Sequence, residues 1–77
     1  MGLRSDVKEL FYRGCSLLDA GEPAQAIKHL SNAAALAPDS TAIMERLAEA
    51  YHFSGQLLPA LKTYDRIIER GAANQAT

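Results

Sequence analysis

Few side chains of this 77-residue sequence could carry out catalysis or bind a metal ion. Its only cysteine, Cys15, could act as a nucleophile if a base and an orienting group converged on it. Glu49 and His52 form a Glu-x-x-His pair, the pattern that helical bundles use to hold two metal ions. Glu45 lies one turn before Glu49, so the three side chains share one face of a predicted helix.

The rest of the sequence supports neither kind of site. A di-metal site needs two Glu-x-x-His pairs and two further carboxylates, which this chain could supply only as a homodimer. Because a motif without its structural context is weak, a solvated charged strip is the favoured interpretation of Glu45, Glu49 and His52. Free cysteines are usually small buried hydrophobic residues, and Cys15 is interpreted in the same way. We therefore predict no catalytic residue, no metal site and no cofactor, and we do not expect an enzyme.

Composition and charge restrict the class of protein further. Hydrophobic residues make up 48% of the chain, which suits one small folded domain over residues 1–77. The net charge is −1 and the basic residues are scattered, so we expect no nucleic-acid partner. No apolar run is long enough to cross a membrane, and a lone cysteine favours a reducing compartment. These features predict a cytoplasmic protein that binds neither membranes nor nucleic acid.

The hydrophobic pattern predicts four helices that would position these side chains. Apolar residues recur at intervals of three and four along the chain, as they do in amphipathic helices. The helices are expected from about 6 to 20, from Pro23 to Pro38, from about 41 to 54, and from about Pro59 to Gly71. Gly21, Gly55 and Gly71 are predicted to end helices, because glycine readily adopts the left-handed backbone of a helix C-terminus.

The sequence also repeats with a period of 34 residues. Identical pairs at this offset include Gly21/Gly55, Ala26/Ala60 and Lys28/Lys62. Small residues at Gly14/Ala48 and Ala26/Ala60 would let the two helices of a hairpin approach closely. A period of this length indicates stacked helical hairpins. A generic four-helix bundle with coincidental glycines is the alternative.

In this register the chain resembles the tetratricopeptide repeat family from Val7 to Gly71. The signature positions are Gly14, Leu17, Gly21, Ala26, Leu30, Ala33 and Pro38 in the first copy, and Ala48, Tyr51, Gly55, Ala60, Tyr64 and Ile67 in the second. The sequence departs from the pattern at Leu10 and Met44, where an aromatic residue is usual, and at Ala72, which replaces a proline. The resemblance implies an all-α fold of two stacked antiparallel helix-turn-helix repeats, over about 7–40 and 41–74.

The resemblance further implies a protein–protein interaction module. In this family the first helix of each repeat lines a concave groove that binds a peptide or another protein. The groove positions carried over to this chain are Lys8, Phe11, Tyr12, Cys15, Leu18 and Asp19 in the first copy, and Ala42, Glu45, Arg46, Glu49, His52 and Phe53 in the second. For Phe11, a position in the core fits the pattern equally well. A matching ligand would place apolar side chains against Phe11 and Tyr12, and a basic one near Glu45 and Glu49.

The last predicted helix suggests an alternative function. Leu58, Leu61 and Ile68 are expected to face the place where a further repeat would pack, and an uncovered apolar face marks an interaction site. Arrays of this kind usually have three or more repeats and a polar capping helix. The chain would then be either a piece of a longer array or a self-assembling scaffold, a homo-oligomer that stacks end to end through its last helix.

Overall fold

A computed structural model describes the backbone of residues 5–75 and the side chains of residues 6–71. It contains four α-helices: α1 (Ser5–Asp19), α2 (Pro23–Leu36), α3 (Thr41–Phe53) and α4 (Leu57–Gln75). Residues 5–75 include no strand. The predicted all-α fold of helical hairpins is therefore confirmed.

The two turns within the hairpins have the same geometry because glycine stands at the same place in each. Gly21 has φ +82° and Gly55 has φ +83°, in the left-handed region. In the first turn, the backbone N–H groups of Gly21 and Glu22 donate to the carbonyls of Leu18 (3.1 Å) and Leu17 (2.8 Å). These two bonds form a Schellman motif, which satisfies carbonyl groups at the end of α1. Bonds of the same lengths close the turn after α3, so both glycines end helices as predicted.

The connection between the hairpins is set by a proline and a capping serine. Helix α2 ends at Leu36, two residues before Pro38, whose ring disfavours helical backbone in the residue that precedes it. Ser40 is the N-cap of α3, and its side-chain oxygen accepts a hydrogen bond from the backbone N–H of Ile43. The predicted start of the third helix is confirmed by this cap.

The expectation that Gly71 ends the last helix is wrong. Helix α4 continues through Gly71 to Gln75. Glycine in a helix interior costs only about 1 kcal/mol relative to alanine, and Ala72 and Ala73 behind it are strong helix formers. In the described part of the chain, positive φ occurs only at Gly21 and Gly55. Gly71 therefore does not make the left-handed turn that would have ended the helix.

The core combines large apolar side chains with small residues that let the helices approach closely. Ala26, Leu30, Ala33, Ile43, Ala48 and Ala50 are fully buried. A Cβ atom added to Gly14 of α1 would lie 2.5 Å from Cγ of Leu30 in α2, so this glycine sets the distance between the two helices. Leu30 belongs to a cluster that also contains Leu47 of α3, which joins the first hairpin to the second.

The hairpins pack through a limited set of helix contacts. Helix α1 pairs with α2, and α3 pairs with α4, while α3 also packs against α2 and touches α1. In the described residues, no Cα atom of α4 lies within 8 Å of a Cα atom in either helix of the first hairpin. Within the described residues, no helix is long and apolar enough to cross a membrane. The arrangement leaves three surfaces open: one along α1 and α3, a cleft between α2 and α4, and the outer face of α4.

Candidate functional site

The residues predicted to form a groove lie on α1 and α3, which contact each other. We call this the α1–α3 surface, and its members are Lys8, Phe11, Tyr12, Cys15 and Asp19 on α1, and Ala42, Glu45, Arg46, Glu49, His52 and Phe53 on α3. Leu18, which the sequence placed on the same surface, is instead buried in the core cluster with Ala26 and Leu30. The assignment of Leu18 to the groove is therefore wrong.

The structure brings three charged members of this surface together around Cys15. The guanidinium of Arg46 and the carboxylates of Asp19 and Glu49 are close enough to influence the thiol electrostatically. Arg46 Nη1 also lies 3.6 Å from Glu49 Oε2, and both side chains remain about 40% exposed. Because α1 supplies Cys15 and Asp19 while α3 supplies Arg46 and Glu49, this group depends on the packing of one helix against the other.

The environment of Cys15 opposes its use as a nucleophile. Burial raises the pKa of the thiol above its ordinary value, since the charged thiolate is less well solvated there. Arg46 lowers this pKa, but Asp19 and Glu49 raise it again. Reactive cysteines need a lowered pKa that favours the thiolate. The arrangement around Cys15 keeps the thiol protonated at neutral pH.

The aromatic residues of the surface divide into packed and exposed groups. Phe11 is half-buried and packs against both buried clusters. Phe53 is 64% exposed and holds its ring 5.5 Å from that of His52 in an edge-on arrangement. Tyr12 is 63% exposed, and it also lines a shallow depression between α1 and α2 that includes His29. Phe53 and Tyr12 therefore offer more free aromatic surface than Phe11 does.

The Glu-x-x-His pair of the sequence is not part of a metal-binding cluster. In the part of the chain that the structure describes, no three His, Cys, Asp or Glu side chains are grouped to hold a metal ion. The carboxylate of Glu49 is instead engaged by Arg46. His29 lies on α2, where its ring Nδ1 is 3.3 Å from the Gln25 carbonyl oxygen.

A cleft between α2 and α4 was not predicted from the sequence. It has a volume of about 340 Å³ and is lined by Ala34, Pro38, Met44, Leu47, Thr63, Arg66, Glu69 and Arg70. Arg70 of α4 reaches across to Asp39 of the α2–α3 connection, with Nη2 at 2.7 Å from Oδ1. The cleft exists because α2 and α4 both pack on α3 while their backbones stay apart in the described residues. Helical periodicity does not specify this separation.

The outer side of α4 carries exposed large apolar residues. We call this the α4 face, and its members are Leu57, Leu58, Leu61, Tyr64 and Ile68. The sequence analysis identified three of them and missed Leu57 and Tyr64. Four of the five, all but Leu58, recur at intervals of four, three and four residues, and this spacing could have identified the two missing members.

Comparison with protein families gives a match over most of the chain. A family model described as tetratricopeptide repeat matches residues 17–76, which is most of the chain and includes α2, α3 and all of α4. The match begins near the C-terminal end of α1, so most of that helix lies outside it. Comparisons with curated proteins and with solved structures give no match.

Proposed function

This chain belongs to the tetratricopeptide repeat family, and from that premise we propose that it binds an extended segment of a partner protein along the α1–α3 surface. Repeats of this family generally mediate protein–protein interaction. The proposal divides the chain into two repeats, over about 7–40 and 41–74, each contributing its first helix to the surface. The mechanism is recognition by complementary charge and shape.

The observation that carries the proposal is the distribution of charge on this surface. The surface carries three carboxylates, those of Asp19, Glu45 and Glu49, and two cations, Lys8 and Arg46. Arg46 is engaged with Glu49, whereas Glu45 forms no ion pair in the described part of the chain. The surplus negative charge favours a basic side chain in the partner segment.

The spacing of these residues defines the expected ligand more closely. Phe53 lies one turn beyond Glu49 and two turns beyond Glu45, which corresponds to about 6 and 12 Å along the helix axis. An extended peptide covers these distances in about two to four residues. The proposed recognition pattern is therefore a Lys or Arg followed or preceded, two to four positions away, by a large apolar residue that packs on Phe53.

Selection from a phage-displayed library of random peptides tests this proposal. The native chain should enrich peptides with the basic-plus-apolar pattern, and a selected peptide can then be titrated by fluorescence anisotropy. Glu49→Lys should weaken its binding by about tenfold, because it places like charges together. Phe53→Ala should also weaken it. Glu69→Lys makes the same change of charge on α4, away from this surface, and should leave the affinity unchanged.

Two outcomes would contradict the proposal. One is the absence of any enriched pattern, and the other is equal loss of affinity in Glu49→Lys and Glu69→Lys. An equal loss would mean that the peptide responds to net charge rather than to this surface.

We also propose that the chain has no catalytic activity, which agrees with the general role of this family as a non-catalytic scaffold.

A second candidate function is helix docking on the α4 face. At the 34-residue offset, Leu61, Tyr64 and Ile68 correspond to Ile27, Leu30 and Ala34 of α2. Those α2 residues pack in the cluster that contains Leu47 and Ala50 of α3. The α4 face therefore corresponds to the apolar surface of α2 on which α3 packs. This correspondence supports docking of another helix on the α4 face.

A further inference from the structure

We propose that the α4 face binds the α4 face of a second copy of this chain, with the two helices antiparallel across a two-fold axis. The inference rests on the second candidate function above and names its occupant. It follows from three observations: the spacing of the apolar residues, the polarity of the opposite end of the molecule, and the order of the charges beside the face.

The spacing of the apolar residues fits the pairing of two helices. Leu57, Leu61, Tyr64 and Ile68 follow intervals of four, three and four, which is the a/d pattern of a helix that pairs with another helix. Three of the four are more than half exposed, and Tyr64 is 37% exposed. Antiparallel pairing would set Leu61 of each copy against Tyr64 of the other, and Leu57 against Ile68.

At the opposite end of the molecule, the α1 positions that would receive this face are polar in the part of the chain that the structure describes. The α3 residues that dock on the first hairpin include Ile43, Leu47 and Ala50, all of them buried. Their counterparts in α1, at the 34-residue offset, are Glu9, Arg13 and Ser16, all of them exposed. Glu9 and Arg13 also form an ion pair with each other at 2.9 Å. Head-to-tail stacking would bury these polar groups against leucines, which is costly.

An isologous contact remains, in which each copy presents the same α4 face. The charges beside the face are self-complementary in the antiparallel direction. Lys62 and Asp65 are exposed, and along the helix axis Lys62 comes before the midpoint of the α4 face and Asp65 after it. The two-fold axis would place Lys62 of each copy beside Asp65 of the other, whereas parallel helices would set like charges at the same level.

Sedimentation equilibrium of the full chain, from micromolar to millimolar concentration, tests the proposal. The native chain should fit a monomer–dimer equilibrium with no larger species. Leu61→Glu should raise the dimer dissociation constant at least about a hundredfold, because each copy would bury a carboxylate in the contact. Leu36→Glu is the matched control, since Leu36 is also an exposed leucine but lies on α2, and it should leave the dimer intact. Circular dichroism checks that both variants remain helical.

The charge order tests the direction of the helices. Lys62→Glu alone and Asp65→Lys alone should each weaken the dimer by about tenfold, because each sets like charges together. A mixture of the two variants should form a heterodimer of native affinity, since every pair is then opposite in charge. Parallel helices would give no weakening in either single variant, and that result would overturn the antiparallel arrangement.

Other occupants give different results. A native chain that stays monomeric throughout, or that forms open-ended polymers, would overturn the proposal. A synthetic peptide with the sequence of α3 is then added as a probe, because α3 is the helix that docks on α2. Binding of this peptide to a monomeric native chain but not to Leu61→Glu would retain helix docking as a function while rejecting the second copy. No binding of the peptide to a monomeric chain would reject both.

Discussion

Gly14 shows how a single residue sets the packing of this fold. The sequence predicted that a small residue here would let α1 approach α2, and the structure places Leu30 where a Cβ atom would be. Leu30 is fully buried and cannot move aside easily. The period and the residue type were sufficient for this prediction because close approach of two helices excludes all but the smallest side chains.

Gly14→Ala should therefore destabilise the fold, by about 1–3 kcal/mol for overpacking. The higher helix propensity of alanine acts in the other direction and raises the free energy of unfolding by about 1 kcal/mol. Urea unfolding followed by circular dichroism measures the free energy of unfolding. In a Leu30→Ala background the obstructing atoms are gone, and Gly14→Ala should there be neutral or stabilising. A similar loss in both backgrounds would show that the contact with Leu30 is not the cause.

Cys15 gives a prediction about pH. Because burial raises the pKa of its thiol, alkylation by iodoacetamide should be slower at neutral pH than in the same chain unfolded in urea. The rate should rise at a higher pH in the folded chain. Arg46→Gln removes the group that lowers this pKa and should shift the profile further up, while Glu49→Gln should shift it down. This description of the site would be contradicted if the alkylation rate of the folded chain rose at the same pH as that of the unfolded chain, or at a lower pH.

Among the helices and turns, some features followed from local sequence and one did not. Gly21 and Gly55 were predicted correctly to end helices. The next helix begins shortly after each of them, so the chain must reverse direction at these glycines. Gly71 is chemically identical, but the residues directly after it, Ala72 and Ala73, are strong helix formers, and α4 continues to Gln75. The presence of glycine permits a helix end without imposing one.

Substitution of these glycines separates the two situations. Gly55→Ala should cost about 1–2 kcal/mol, because its backbone is left-handed while no neighbouring atom lies within 4 Å of an added Cβ. Gly71→Ala is the matched control, because a Cβ atom added at Gly71 would also have no neighbour within 4 Å, while the φ angle of Gly71 is not positive. It should stabilise the chain by up to about 1 kcal/mol. Thermal unfolding of the two variants measures the difference, and stabilisation by both would show that φ at Gly55 is not a constraint.

For the whole molecule, the sequence indicated which helix faces are open but not how they combine. The 34-residue period placed Cys15 and Glu49 on first helices of successive repeats, yet their proximity depends on how α1 packs on α3. The cleft lined by Arg66 and Arg70 likewise depends on the angle between hairpins. Periodicity gives the face of a residue within one helix, whereas the distance between helices follows from the packing of the core.

The α4 face lies on α4, whereas the α1–α3 surface lies on α1 and α3, so partner binding and pairing of copies can be measured separately. A variant such as Leu61→Glu should lose the dimer and keep the selected peptide. Glu49→Lys should keep the dimer and lose the peptide. This independence is expected because the two sets of residues share no member.

The most direct test of the central claim is a map of the peptide on the protein. Amide chemical shifts of the isotope-labelled chain, recorded by NMR during titration with a selected peptide, report which residues it contacts. We predict that the largest changes cluster at Cys15, Glu45, Glu49 and Phe53, on the facing parts of α1 and α3. Changes confined to α4 or to the cleft beside Arg66 and Arg70 would contradict the claim that the α1–α3 surface is the site of partner binding.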